Sequence, residues 1–149
     1  MITEDYVSFE TAKLLKEKGF DEVCIGFYTP QKELHFTFLG ETNSIWLDDS
    51  ISAPTLQMAM KWLREVHNIL LVVDYEYECN TTPYFFKIYR LGENGKPERV
   101  PIKGVSYDKD NNATEHIVGY RDWERSKSDY STYEEAAEAA VKYCIENLI

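Results

Sequence analysis

The sequence is short of the residues on which most site chemistry depends. Its three cysteines, Cys24, Cys79 and Cys144, lie far apart. An odd number excludes a complete disulfide framework, and their separation excludes a Cys-x-x-Cys ligand pair. The three histidines, His35, His67 and His116, stand in different segments, and none belongs to a His-x-x-x-His pattern. They read as surface or capping residues, so no metal site and no cofactor is expected. Gly92-Glu93-Asn94-Gly95-Lys96 has neither the Walker spacing nor a strand-to-helix setting, which leaves no glycine cradle for phosphate. A Gly-x-Ser-x-Gly elbow is also missing, and no residue is singled out as catalytic. No stretch approaches the roughly 20 apolar residues of a membrane span. The opening Met-Ile-Thr-Glu-Asp-Tyr has none of the basic and apolar segments of a secretory signal, so a cytoplasmic location is expected. In that setting the sequons Asn80-Thr81-Thr82 and Asn112-Ala113-Thr114 carry no meaning. Positive charge is scarce too: 16 Lys and Arg against 26 Asp and Glu give a net charge of −10. That balance opposes direct binding to a phosphate backbone and favours a well-solvated surface.

What is present is an aromatic-rich chain of one-domain length. Aromatic residues make up 14% of its 149 positions, 11 of them tyrosine, a residue suited to half-buried sheet faces and contact surfaces. The patterning predicts an α+β domain over 1–149, with an antiparallel sheet of two hairpins and one or two further strands. Three helices are expected to cover it on one face.

Ser8 opens the first helix as a cap and Gly19 closes it, with Phe20 folding back on Leu15. Alternation of Val23, Ile25 and Phe27 with Glu22, Cys24 and Tyr28, then of Leu34, Phe36 and Phe38 with Glu33, His35 and Thr37, predicts a hairpin turning at Pro30-Gln31-Lys32. The Val23-Ile25-Phe27 set is expected to be buried, with Cys24 on the polar side. A short strand is expected at Ile45-Trp46-Leu47. Pro54 suits the first turn of a second helix, whose stripe is Leu56, Ala59, Met60 and Leu63, widened by Trp62 and Val66 and ended by Asn68. Leu71-Val73-Tyr75-Tyr77 should then pair with Tyr84-Phe86-Ile88 through a turn at Asn80-Thr81-Thr82-Pro83. The stretches 8–47 and 54–91 thus share an αββ order, an order common enough to arise by chance. Residues 92–114 read as loop with one edge strand, Val100 to Tyr107, followed by a strand from Glu115 to Trp123. A capping box at Ser131-Thr132-Tyr133-Glu134 starts the C-terminal capping helix, 131–148, with a narrow stripe of Tyr133, Ala137, Ala140, Cys144 and Leu148.

Two features invite a functional reading. Asp74, Glu76 and Glu78 alternate on one strand and share a face, as carboxylates around a sugar or a hard cation would; alternating acids also serve as the solvated face of a strand. Arg121, Trp123, Arg125 and Lys127 form the one mixed basic and aromatic segment. Arg and Trp are typical anchors of protein contacts, so these four are the candidate partner-binding residues. Set against this, tryptophan more often plugs a core.

Three segments carry a resemblance: Val7 through Phe20, Ala53 through Glu65, and Tyr133 through Ile149. In them the chain resembles a group of small uncharacterised proteins of gut Bacteroidetes, found in their phages, prophages and mobile elements. The resemblance implies a bacterial or phage setting and an accessory role, and it transfers no site residues. More loosely, the strands followed by Tyr130 through Ala137 are similar to the three-strand-plus-helix DNA-binding modules of integrase arms and plant AP2 domains, which read DNA from a basic sheet face. Here that segment has too little excess positive charge. The expectation is therefore a non-enzymatic accessory protein with an unidentified protein partner. A small DNA-binding module or acidic DNA mimic, and an enzyme with a carboxylate site, stand as the alternatives.

Overall fold

A computed structural model describes residues 3–46, 48–75, 83–107, 113–118 and 130–149. Among them are three helices and eight strands, all paired antiparallel, so the protein has an α+β fold. The chain gathers into two compact units, residues 1–67 with 141–149, and residues 68–140. Among the described residues the strands form three separate sheets. Each hairpin recruits a third strand of its own, which gives the orders β2-β1-β3 and β4-β5-β6, with β7-β8 as a separate pair.

In the first unit, α1 (Phe9–Glu17) is held at both ends as its sequence predicts. The Ser8 hydroxyl accepts the Thr11 N–H. At the other end Gly19 takes a φ of +89°, and the Phe20 N–H returns to the Leu15 carbonyl at 3.0 Å. The Leu15 carbonyl, which also accepts the Lys18 N–H, is one of the last-turn carbonyls with no i+4 donor in the helix. Strand β1 (Cys24–Tyr28) pairs with β2 (Leu34–Glu41) on one side and β3 (Ile51–Ala53) on the other. The hairpin turn is closed by Lys32 N–H to Thr29 O and Thr29 N–H to Glu33 O, with Lys32 left-handed.

The buried face of this hairpin is the reverse of the expected one. Cys24 is 2% exposed and Gly26 is buried, whereas Val23 and Ile25 are exposed. The reason is close approach. A β-carbon on Gly26 would lie 2.8 Å from Tyr6 Cε1 and 3.0 Å from the Ala53 carbonyl oxygen. Small residues at 24 and 26 let Tyr6 press onto the sheet. Period two then turns Ile25 and Phe27 outward.

The strand expected at 45–47 is also displaced. Residues 43–45 form a turn, Leu47 lies outside the described residues, and the third strand is Ile51–Ala53. Buried Asn43 accounts for the shift. Its amide donates to the Phe20 carbonyl at 2.7 Å, and its oxygen accepts the Ser52 N–H at 2.9 Å.

Helix α2 (Leu56–His67) begins two residues beyond Pro54. Thr55 is its cap, the hydroxyl accepting the Met58 N–H, while the Pro54 carbonyl accepts the Val7 N–H. Its buried stripe is Leu56, Ala59, Trp62 and Leu63; Val66 is exposed.

In the second unit Asn68 adopts the left-handed conformation. Strand β4 (Ile69–Tyr75) runs against β5 (Tyr84–Leu91) in unbroken register. The two segments expected to pair do so, with Leu71 facing Ile88, Val73 facing Phe86 and Tyr75 facing Tyr84. Tyr77 and the turn at 80–82 lie outside the described residues. The stretch read as loop holds a further strand, β6 (Pro97–Arg99), joined to β5 through a turn in which Gly95 is left-handed. Next come β7 (Ile102–Tyr107) and β8 (Ala113–Val118), paired from Ile102 opposite Val118 to Tyr107 opposite Ala113.

Helix α3 (Tyr133–Asn147) is capped one residue later than expected. The Thr132 hydroxyl accepts the Glu135 N–H, and the Glu135 carboxylate returns to the Ser131 N–H and hydroxyl. Ala137, Ala140 and Cys144 are buried as predicted, together with Ala136, Val141 and Ile145.

Candidate functional site

The residues proposed from sequence as contact anchors, Arg121, Trp123, Arg125 and Lys127, lie outside the described residues, as do Cys79, Glu76 and Glu78. Asp74, their alternating partner, is engaged in a structural ion pair. Its carboxylate meets the Lys87 ammonium at 2.9 Å across β4 and β5, and it also accepts the Tyr75 N–H. The hydrogen bond from Lys87, more than any other contact, holds its carboxyl below the usual carboxylate range. Asp48 is likewise held low by hydrogen bonds from Ser50.

The two thiols among the described residues, Cys24 and Cys144, have little nucleophilic character. Burial, with Glu22 nearby, pushes Cys24 up to about 12, which leaves almost no thiolate at neutral pH. Cys144 is fully buried. Of the histidines, His35 is exposed beside Glu33 at 3.4 Å, and His67 packs edge-on against Trp62 at 4.5 Å. His116 falls within β8. Among the described residues, no group of three His, Cys, Asp or Glu side chains converges on a point where a metal ion could sit.

What the first unit does present is apolar surface around one strand. Seven large apolar side chains between 23 and 45 are exposed: Val23, Ile25, Leu34, Phe36, Phe38, Leu39 and Ile45. A soluble surface tolerates single exposed apolar residues, whereas a local concentration of them marks a contact site.

Backbone geometry gathers them there. Gly26 faces Phe36, while Cys24 faces Glu41, so residues 37–40 bulge opposite the single residue Ile25. The bulge is pinned by the Gly40 N–H to the Thr37 hydroxyl at 2.9 Å, and Gly40 needs its φ of +72° to close it. Phe38 and Leu39 stand at the tip, Phe38 fully exposed and Leu39 87% exposed.

The two faces of the hairpin add to this rim. Phe36 lies edge-on to Tyr6 at 5.3 Å on one face. On the other, Phe27 stacks on Trp46 at 4.6 Å with His35 at 5.8 Å, and the Trp46 indole N–H is held by Ser52. A cleft of about 280 Å³ is lined by Val23, Met58, Trp62 and Val66 together with the charged Glu22, Lys61 and Glu65.

The edges of this sheet differ. Just beyond β3, Val7 N–H bonds to Pro54 O and Leu56 N–H to Asp5 O, so residues 5–7 pair with 54–56 where the chain leaves that strand. Among the described residues, β2 pairs with β1 alone, and its outer edge is open.

Periodicity could not reveal this site. It marks which residues alternate, not which set the neighbouring small residues allow inside. The signal in the sequence is Cys24 followed two positions later by Gly26, small residues on the face that alternation assigns to solvent.

Compared with protein-family models, with curated proteins and with solved structures, the chain matches none. No helix among the described residues is long and apolar enough to cross a membrane.

Proposed function

We propose that this is a non-enzymatic accessory protein that works through protein contacts, with the rim and open edge of β2 as its contact surface. The observation that carries the reading is the crowding of exposed apolar side chains around that one strand, crowned by Phe38 and Leu39. Burying such residues supplies about 25 cal/mol per Å² of apolar area. Holding the tip in a short hydrogen-bonded bulge lowers the entropy lost when a partner arrives. The raised pKa of Cys24 and the pairing of Asp74 with Lys87 favour contact over catalysis. The resemblance of the helical segments to proteins of phages and mobile elements in gut Bacteroidetes is in keeping with an accessory role.

The test is partner capture by the whole chain, by a Phe38→Ser, Leu39→Ser double variant, and by Trp123→Ala. Loss of the partner with the double variant alone, at unchanged circular dichroism, is the expected result. Equal capture by the double variant and the wild type would refute the surface. Loss with Trp123→Ala alone would move the contact to the Arg121–Lys127 segment.

A further inference from the structure

Resting on that reading of the β2 edge, we infer that its occupant is a second copy of this chain, added as an antiparallel strand about a two-fold axis. The hydrogen-bond pattern of the hairpin selects the register. Thr29 N–H bonds to Glu33 O, which makes 29 and 33 a hydrogen-bonded pair. Bonded and non-bonded pairs alternate along an antiparallel ladder. Phe27 with His35 is therefore the next bonded pair, and Tyr28 with Leu34 and Gly26 with Phe36 are non-bonded pairs. The N–H and C=O groups of Leu34 and Phe36 consequently point away from β1, toward the open edge.

An antiparallel copy can use all four of these groups in only one way, with Leu34 opposite Phe36 of the other copy and Phe36 opposite its Leu34. Registers centred on Leu34 or on Phe36 match only one of those residues with its symmetry mate. The chosen register sets apolar side chains across from each other on the Tyr6 face, where both are exposed. It places His35 beside His35 on the two-fold axis. Glu33 then faces Thr37 and lies diagonal to His35 of the other copy, so no carboxylate opposes another. Cross-strand pairs of these kinds are what stabilise a sheet, and a shared patch that complements itself is the requirement of a two-fold interface. The joined sheet would have six strands, and it would remove an exposed edge that otherwise invites indiscriminate pairing.

Charge gives the association a distinctive salt dependence. Two copies each of net charge −10 repel at long range. Screening by salt therefore strengthens the pair, whereas it would weaken binding of a basic partner to the same acidic chain.

Sedimentation of the whole chain should show a mass that rises with concentration from 17.4 kDa toward twice that value, and more readily at higher salt. A crosslink tests the register. In a Cys79→Ser background, His35→Cys places two thiols on a non-bonded pair whose Cα atoms are about 4.5 Å apart, within disulfide reach. It should form a disulfide-linked dimer under mild oxidation, while Glu33→Cys should not. A single 17.4 kDa species at every concentration and salt, with no His35→Cys crosslink, would overturn the inference. Equal crosslinking of both variants would overturn the register. If the chain stays monomeric but the Phe38→Ser, Leu39→Ser variant still loses a captured partner, the second copy is wrong and the contact surface stands.

Discussion

Each of the two antiparallel pairs, β1 with β2 and β4 with β5, follows a helix in the chain, yet they treat their apolar residues in opposite ways. In the second, Leu71, Ile88 and Phe86 are buried, and seven consecutive residue pairs run without interruption from Ile69 to Tyr75. Its far edge is β6, where Pro97, Glu98 and Arg99 discourage a further strand. In the first, Cys24 and Gly26 take the inside and the large side chains turn out. The register breaks at 37–40, and the outer edge carries Leu34 and Phe36. One hairpin is built to stabilise its unit, the other to present a surface. The difference arises from two small residues and one bulge, not from overall hydrophobicity.

The comparison can be broken most forcefully by removing a phenyl ring from each hairpin. Phe86→Ala should cost about 3–5 kcal/mol of unfolding free energy, because its ring is buried. Phe38→Ala, with the ring wholly in solvent, should change stability by no more than about 0.5 kcal/mol. Urea denaturation of both variants measures the contrast, and equal losses would show that the first hairpin buries Phe38 after all. A smaller effect belongs to Gly26→Ala, whose new methyl must displace Tyr6 or the Ala53 carbonyl. Overpacking of this kind costs about 1–3 kcal/mol. A neutral result would mean that close approach does not set the face of β1.

The smallest effect concerns the second hairpin alone. Because Lys87 depresses the Asp74 pKa in the folded state, their pair adds stability above the ordinary carboxylate value of 3.8. That contribution is lost as pH falls through the depressed value. Asp74 is partly exposed, so solvent screening keeps the effect below about 1 kcal/mol. Asp74→Asn should be less stable than the wild type at neutral pH, and the gap should close in acid. A gap that persists unchanged at low pH would show that the pair is not its cause.

Much of this architecture was legible in the sequence, since helix ends and strand pairing are written in local chemistry. Ser8, Gly19 and Asn68 mark helix ends in the structure as they do in the sequence, and the pairs of β4 with β5 follow from alternation. What was hidden depended on contacts distant in the chain. The place of β3 follows from buried Asn43 bridging Phe20 and Ser52, and the face of β1 follows from Tyr6 pressing on Gly26. The exact caps also differ from the local signals, with Thr55 taking the Met58 N–H beyond Pro54 and Thr132 taking the Glu135 N–H in place of Ser131. The Arg121–Lys127 segment lies outside the described residues, while alternation hides the apolar rim because it assigns Val23, Ile25, Leu34, Phe36 and Phe38 to a buried face.

Amide hydrogen exchange at three adjacent residues of β2 tests the open edge most directly. In dilute protein, the His35 amide, bonded to β1, should exchange slowly, while those of Leu34 and Phe36 should exchange fast. As concentration rises, both fast amides should become protected together. If Leu34 and Phe36 are slow even in dilute protein, the edge is already covered. If they stay fast at every concentration, no second strand is added there.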